Sequence, residues 1–255
     1  FLLKAVIAVD RIARRRANLL QLAYICPLKN SIVKARTIVL TILIILIADQ
    51  ALKIWVKTHM HLGQQIRVFD GWFRIYFIEN EGMAWGWKFG GEWGKMTLTL
   101  FRLIAVVFGI FYIRNILRKN YSKGFLICVA LIFAGAMGNL IDSMFYGLIF
   151  EDSEKVVLSR IFPPHGYAGF LHGRVVDMLY FPIIEDKLLP DWIPVWGGER
   201  FTFFSPIFNI ADASISIGVI AILLFQKRFF QKKPEPKTHP TIETNSPVND
   251  TAQVL

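Results

Sequence analysis

The sequence predicts a mainly α-helical membrane protein with four transmembrane helices, a small extracytoplasmic β-sheet at the membrane interface, and long loops. Three observations predict this class. Of the 255 residues, 54% are hydrophobic and 14% aromatic, which is more apolar than an ordinary soluble domain. The apolar residues gather in runs of about 20 residues, long enough to cross a bilayer core. Basic residues flank these runs as orientation signals do, so the net charge of +10 does not indicate nucleic-acid binding.

The N-terminal residues 1–35 are predicted to form a basic extension, which is rich in arginine from Arg11 to Arg16. An over-extended reading frame or a truncated start would also account for this segment. No apolar core with a small-residue cleavage site follows the charges. We therefore do not expect a cleavable signal peptide.

Four membrane spans are expected, at about residues 38–56, 96–113, 124–141 and 207–225. Ser205-Pro206 is the expected start of the last one, because proline is favoured in the first turn of a helix. Basic residues precede the first span, join the second to the third, and follow the fourth. The positive-inside rule then places both termini in the cytoplasm. Residues 227–255 are expected to be a disordered cytoplasmic tail, rich in Pro, Thr and Asn.

The first extracytoplasmic connection carries strand signals. The stretches 66–69 and 72–78 alternate like strands and are separated by Asp70-Gly71, a hairpin signal. We expect this small sheet to lie at the outer leaflet, where tryptophans are favoured. The last connection, residues 144–204, is long and aromatic, with elaborations at about 147–171 and 182–204. The membrane domain is therefore expected to span residues 36–226, with two insertions.

Polar residues of the predicted spans gather on the extracytoplasmic side. The two last spans each carry Asn-x-x-Asp, a spacing that puts both side chains on one helix face. A polar cluster at a helix end would explain one such pair, but two pairs and a further acid favour function, because intramembrane carboxylates are usually functional. Asp49 and Lys53, four residues apart, are expected to form a salt bridge. The residues on this side are Asp49, Asn80, Asn139, Asp142, Asp177, Asn209 and Asp212.

Paired carboxylates predict a reaction class. Two carboxyl groups that share a proton can activate water for peptide hydrolysis. The sequence has neither Gly-x-Ser-x-Gly nor His-Glu-x-x-His, and the His59–His61 pair lacks an obvious third zinc ligand. We therefore expect no metal and no cofactor. Spacing leaves open whether Asp142 or Asp177 is the partner of Asp212.

Five sequence blocks, in order along the chain, resemble the lipoprotein signal peptidase (signal peptidase II) family. The resemblance covers about residues 36–226. Each block is weak by itself, but the ordered set is specific. The blocks are Asp49-Gln50-x-x-Lys53, Asn80-x-Gly82-x-Ala84-Trp85-Gly86, Gly135-Ala136-Met137-Gly138-Asn139-Leu140-Ile141-Asp142, Val175-Val176-Asp177 and Phe208-Asn209-Ile210-Ala211-Asp212.

The resemblance implies an aspartic endopeptidase of the bacterial inner membrane whose active site faces the periplasm. Its implied substrate is a diacylglyceryl-modified prolipoprotein, cleaved before the lipidated cysteine. The resemblance implies that Asp177 and Asp212 are the catalytic pair and that Asp142 is a structural acid. The implied site-lining residues are Asp49, Lys53, Asn80, Gly82, Asn139 and Asn209. We expect a monomer that contacts membrane lipids.

Three departures from the family pattern stand out. Ser143 occupies a position where the family usually has Arg, which removes a cation expected to organise the site; Arg174 is a candidate replacement. Met178 stands where Phe is common, and the connections around Asp177 are long. The alternatives to a peptidase are a small proton-coupled transporter and a non-catalytic lipoprotein-binding membrane protein. Acids confined to one interface disfavour the first, and intact motif acids disfavour the second.

Overall fold

A computed structural model describes residues 32–69, 71–80, 91–119, 121–192, 198–203 and 205–230, with side chains in the second helix from Gly94 onward. Most of the predicted N-terminal extension, the tail beyond Phe230, and Gly82 lie outside these residues. Predictions made for those segments therefore stay predictions.

Long apolar helices form the body of the described chain. Three of them are long and apolar enough to cross a membrane, over Ile32–His59, Gly94–Leu117 and Lys123–Ile149. A fourth apolar helix, Ile210–Leu224, has 15 residues, shorter than the roughly 20 residues of a typical span. The chain is therefore an integral membrane protein. The helices are α1 (Ile32–His59), α2 (Gly91–Leu117), α3 (Lys123–Ile141, followed by a π-helical turn at Asp142–Tyr146), α4 (Gly147–Ile149), α5 (Ile210–Leu224) and α6 (Gln226–Phe230).

The helix that follows the long connection of residues 144–204 starts later than predicted. Ser205-Pro206 does not begin it, and that prediction is wrong. Residues Ile207–Phe208 form a short strand instead, and α5 begins at Ile210. Asn209 is the N-cap: its side-chain oxygen accepts a hydrogen bond from the backbone N–H of Asp212 at 2.9 Å. An asparagine cap satisfies one of the free amides at the helix start, which Pro206, ahead of the strand, does not.

The connections between the helices contribute the strands of a four-stranded antiparallel sheet. Its strands are β1 (Gln65–Phe69), β2 (Phe73–Asn80), β3 (Val175–Tyr180) and β6 (Ile207–Phe208), in the order β1-β2-β3-β6. The predicted hairpin between β1 and β2 is confirmed, with Gly71 at φ 93°, a conformation that glycine adopts without strain. The Val-Val-Asp block is part of an inner strand. Strands β4 (Ile184–Leu188) and β5 (Arg200–Phe203) form a separate hairpin in the second insertion.

Close packing of α3 against α5 depends on glycine. A Cβ atom at Gly135 would lie 2.2 Å from the carbonyl oxygen of Ala211, and one at Gly218 would lie 2.8 Å from the carbonyl oxygen of Cys128. Small residues let two membrane helices approach until their backbones touch. This approach brings the end of α3 and the start of α5 together, where Asn139 and Asp212 lie.

The first insertion is held to α1 and β2 by a buried lysine. Lys57 is fully buried, forms an ion pair with Glu79 and donates a hydrogen bond to Oγ of Ser153 at 2.7 Å. Its Nζ also lies 4.9 Å from the ring centroid of Tyr167. The insertion is thus an ordered cover on the sheet. The second insertion is tied to the sheet by a hydrogen bond of 2.9 Å from Nη1 of Arg74 to Oε1 of Glu185.

Candidate active site

Strand pairing explains how Asp177 comes to lie beside the start of α5. Strands β3 and β6 are antiparallel, with Leu179 opposite Phe208. Continuing this register by two residues puts Ile210, the first residue of α5, opposite Asp177. Accordingly, Nδ2 of Asn209 donates a hydrogen bond to Oδ1 of Asp177 at 2.7 Å. The sheet therefore delivers one carboxyl group to the N-terminus of the helix that carries the other.

Two asparagines connect the carboxyl groups of Asp177 and Asp212. Asn139, on α3, donates from Nδ2 to Oδ1 of Asp212 at 2.7 Å. Asn209 donates from Nδ2 to Oδ1 of Asn139 at 3.2 Å, as well as to Asp177. The path Asp177–Asn209–Asn139–Asp212 fixes both acids through one side chain of α3 and the N-cap side chain of α5. Asn80 adds a longer hydrogen bond, 3.5 Å, to Oδ2 of Asp177.

The environment of Asp177 favours its protonated form. The residue is 3% exposed. Burial, and then the negative charge of Asp212, raise the pKa of Asp177 from 3.8 to about 7, although Lys53 and the hydrogen bond from Asn209 act in the opposite direction. Both protonation states of Asp177 are therefore populated near neutral pH, as an acid–base group requires.

Lys53 orders the polar cluster behind these two acids. The predicted ion pair is present: Nζ of Lys53 lies 2.8 Å from Oδ2 of Asp49, and it also lies 2.7 Å from Oδ2 of Asp142. Nζ donates a further hydrogen bond to Oδ1 of Asn139 at 3.0 Å. Because that oxygen accepts from both Lys53 and Asn209, the amide nitrogen of Asn139 must face Asp212. Lys53 thus sets the orientation of Asn139.

Asp142 belongs to this supporting cluster. It is fully buried, paired with Lys53, and accepts a hydrogen bond of 2.9 Å from Nε2 of Gln50. Tyr146 donates in turn to Oε1 of Gln50 at 3.1 Å. Oδ1 of Asp142 is thus hydrogen-bonded, while Oδ2 is paired with Lys53 by charge without a hydrogen bond of normal geometry. Helix spacing alone made Asp142 a candidate partner for Asp212, and these contacts show that it belongs to the supporting cluster instead.

Asp49 has a second task at the start of α5. Its Oδ1 accepts a hydrogen bond from the backbone N–H of Ala211 at 2.9 Å. Together with the Asn209 cap, it satisfies two of the free amides at this helix end. The first turn of α5 carries Asp212, where the partial positive charge of a helix N-terminus stabilises a carboxylate.

Arg174 contacts strand β2 and the first insertion. Its Nη1 lies 3.1 Å from Oε2 of Glu79 and 2.5 Å from Oδ1 of Asp152, and its guanidinium lies 5.0 Å from the ring centroid of Tyr167. These contacts tie the start of β3 to the first insertion. The structure thus uses Arg174 as a clamp between sheet and insertion.

Sequence reasoning missed Arg102. From α2, its Nη1 donates a hydrogen bond to Oγ of Ser143 at 3.0 Å, and Ser143 donates to the backbone carbonyl of Asn139 at 2.9 Å. The signal was present in the sequence, because Arg102 is the one charged residue between Lys95 and Arg114, and a charge inside a membrane span usually marks a site. Among the residues that the structure describes, no group of three or more His, Cys, Asp or Glu side chains is arranged to hold a metal ion.

Comparison with known proteins identifies the family. Residues 41–228 match the model of signal peptidase (SPase) II. The lipoprotein signal peptidase of Porphyromonas gingivalis (strain ATCC BAA-308 / W83) is 47% identical over 197 residues, which is 76% of this chain and 84% of that protein. That of Amoebophilus asiaticus (strain 5a2) is 37% identical over 217 residues, covering 84% of this chain and 86% of that protein.

A solved structure gives the same picture at the level of the fold. A bacterial membrane enzyme determined by the in meso method at 2.3 Å resolution superposes with a TM-score of 0.50 and 25% sequence identity. The similarity covers 79% of this chain and 94% of that one. Since both the sequence and the fold match over most of its length, the chain belongs to the signal peptidase II family of aspartic peptidases.

Proposed function

We propose that this protein removes the signal peptide from diacylglyceryl-modified prolipoproteins, with Asp177 and Asp212 as the catalytic dyad. The observation that carries the dyad is the path of hydrogen bonds through Asn139 and Asn209, which joins two carboxyl groups at one site. The names of the relatives, lipoprotein signal peptidase, support the substrate. The chemistry fits, because two coupled carboxyl groups hold one proton between them.

The two acids take different roles in the proposed reaction. Asp177, whose pKa is raised to about 7, carries the proton and donates it to the carbonyl oxygen of the scissile peptide. Asp212, at the helix N-terminus, carries the negative charge and takes a proton from water. The oxygen of that water attacks the carbonyl carbon. In the second half, Asp212 protonates the leaving nitrogen and the C–N bond breaks, while Asp177 recovers a proton from the tetrahedral intermediate. The products are a signal peptide with a free carboxylate and a lipidated cysteine with a free amine.

Four spans, with the site facing the periplasm, are part of this proposal. Lys34 donates from Nζ to the backbone carbonyl of Lys119 at 3.2 Å, which supports one basic end of the bundle that contains both the start of α1 and the α2–α3 link. The positive-inside rule assigns such an end to the cytoplasm. Helix α5 serves as the fourth span, with the basic α6 continuing it to the same side. Residues 36–226 then constitute the peptidase domain, with a cytoplasmic tail after it.

The bilayer supplies the substrate in this scheme. Helix α2 leaves large apolar side chains exposed, which in a membrane protein contact lipid. A diacylated peptide can therefore approach the site from the outer leaflet without leaving the membrane. One insertion precedes Asp177 in the chain, and the other lies between Asp177 and Asp212. Together with the sheet, they are suited to exclude water from the dyad. We propose that the enzyme acts as a monomer and needs no cofactor.

Cleavage of a purified substrate tests the proposal. The protein, reconstituted in liposomes, is incubated with a prolipoprotein that carries diacylglycerol on its cysteine and, separately, with the same polypeptide without the lipid. We expect mass spectrometry to find a product that begins at the lipidated cysteine, and no product from the unlipidated chain. A lipidated substrate that stays intact in the presence of the wild-type protein would overturn the proposed function.

A further inference from the structure

The membrane helix α2 contains an isolated charge. Arg102 is the one Asp, Glu, Lys or Arg between Lys95 and Arg114. It lies eight residues after Gly94, the first residue of the spanning segment, and therefore about 12 Å along the helix axis. An arginine deep in a span costs roughly 2.5–3.5 kcal/mol on insertion scales unless it finds partners. Such a residue needs a compensating interaction inside the protein.

The position of Arg102 on α2 directs its guanidinium into the bundle. Thr99 and Val106, three residues before and four residues after it, are buried, and residues at these spacings share a helix face. The opposite face consists of exposed aromatic residues that contact lipid: Phe101, Phe108 and Phe111. Arg102 itself is half-buried. Its side chain thus turns toward α3 and does not simply extend toward the lipid headgroups.

The contacts of Arg102 lead to the proposed dyad in three steps. The guanidinium donates to Ser143 at 3.0 Å, Ser143 donates to the backbone carbonyl of Asn139 at 2.9 Å, and Asn139 donates to Asp212 at 2.7 Å. Ser143 is buried, so this link is shielded from water. A buried chain of hydrogen bonds has defined geometry, and loss of its first donor leaves the next group unsatisfied.

The charge balance at the site also calls for a second cation. Four carboxyl groups gather here, and Lys53 directly contacts two of them, Asp49 and Asp142. Arg102 brings a second positive charge to the same cluster, joined to Asp212 through Ser143 and Asn139. Uncompensated negative charge is costly in a buried site. Arg102, from α2, therefore complements Lys53, from α1.

We propose that Arg102 is a positioning residue of the active site, which reaches across from α2 to hold Asn139 and the charge of Asp212 through Ser143. The assignment rests on the proposed function of the dyad. It also accounts for the serine that follows Asp142, where the family resemblance leads us to expect an arginine. Here the cation comes from the neighbouring helix, and Ser143 is small enough to admit it and polar enough to accept its hydrogen bond.

A charge-swap experiment tests the assignment. Arg102→Met removes the cation with similar length, Arg102→Lys keeps the charge but loses the planar fork, and Arg102→Met with Ser143→Arg returns a guanidinium from the other helix. Arg114→Met, at the far end of the same helix, is the matched control. Each protein is assayed for kcat and KM on a fluorescent diacylglyceryl-modified prolipoprotein, and its thermal midpoint is measured in detergent micelles.

We expect Arg102→Met to lower kcat about 100-fold, the effect of a small displacement in a catalytic site, with KM changed by less than about threefold because remote substrate binding is retained. Arg102→Lys should lose less, the Ser143→Arg swap should recover at least about tenfold of the loss, and Arg114→Met should behave as wild type.

Wild-type kcat in Arg102→Met would overturn the role of Arg102 alone. The proposal would also be overturned if activity fell together with the thermal midpoint and the swap did not recover it. That result would mean that Arg102 has only a structural role. Failure of the wild-type protein to cleave would instead overturn the proposed function and, with it, this assignment.

Discussion

Replacing Asp177 by asparagine should make the protein inactive and, at alkaline pH, more stable. Asparagine has nearly the same shape and can still accept the hydrogen bond from Asn209. The wild-type side chain is buried beside Asp212, which raises its pKa from 3.8 to about 7. The folded state therefore holds a proton that the unfolded chain releases. An asparagine has no proton to release, so it avoids this penalty.

The size of the effect follows from the two pKa values. The gap between 3.8 and about 7, at about 1.4 kcal/mol per pH unit, corresponds to about 4 kcal/mol. The folded-state pKa is raised, so the penalty is absent below pH 3.8, grows as pH rises toward 7, and is constant above that. Between pH 5 and pH 8.5, the stability advantage of Asp177→Asn should grow by about 3 kcal/mol.

Thermal unfolding in detergent micelles, followed by circular dichroism across this pH range, measures the effect. For a chain of this size the expected gain in midpoint is roughly 6–12 °C. Asp191→Asn, a change of an exposed turn residue, is the control and should track the wild type at every pH. A gap between Asp177→Asn and wild type that stays flat or shrinks as pH rises would refute the reasoning, and so would a variant that still cleaves substrate.

Three further outcomes test other parts of the structure. The kcat/KM for cleavage should fall as pH rises through about 7, because the dyad must keep one proton; a rate that is unchanged at pH 8.5 would contradict this. Glu79→Gln should lower the free energy of unfolding by about 3–5 kcal/mol, because Lys57 would stay buried without its ionic partner; an unfolding midpoint equal to wild type would count against that pair. Gly135→Ala should lower stability by about 1–3 kcal/mol and slow cleavage, because its Cβ would meet the carbonyl of Ala211, whereas Gly169→Ala, with open space around it, should change neither.

Much of the fold could be predicted because its signals are local. Apolar run length located the three long helices, and Asp70-Gly71 located the first hairpin. Strand β3 was harder, since it is buried on both faces and pairs with a strand about a hundred residues earlier in the chain. Strand β6 has two residues, too few for any periodicity. Two signals for the start of α5 are present in the sequence, Ser205-Pro206 and Asn209. The helix begins after the second one, with Asn209 as its N-cap.

The candidate site was accessible from sequence only in part. The pattern of spans predicted that the acids gather on one side of the membrane. It did not predict which neighbours each acid faces. Asp142 has the same spacing to an asparagine as Asp212, and only the fold shows that Lys53 and Gln50 occupy it. The isolated charge of Arg102 is visible in the sequence, but its contact with Ser143 is not, because Ser143 follows another helix.

Cleavage by the dyad variants is the decisive measurement. Single-turnover assays compare wild type with Asp177→Asn, Asp212→Asn and the double variant on a diacylglyceryl-modified prolipoprotein. If the two carboxyl groups act as one unit, each single change should abolish cleavage and the double change should cost no more than either one. A wild-type rate in either single variant, with folding intact, would contradict the assignment of Asp177 and Asp212.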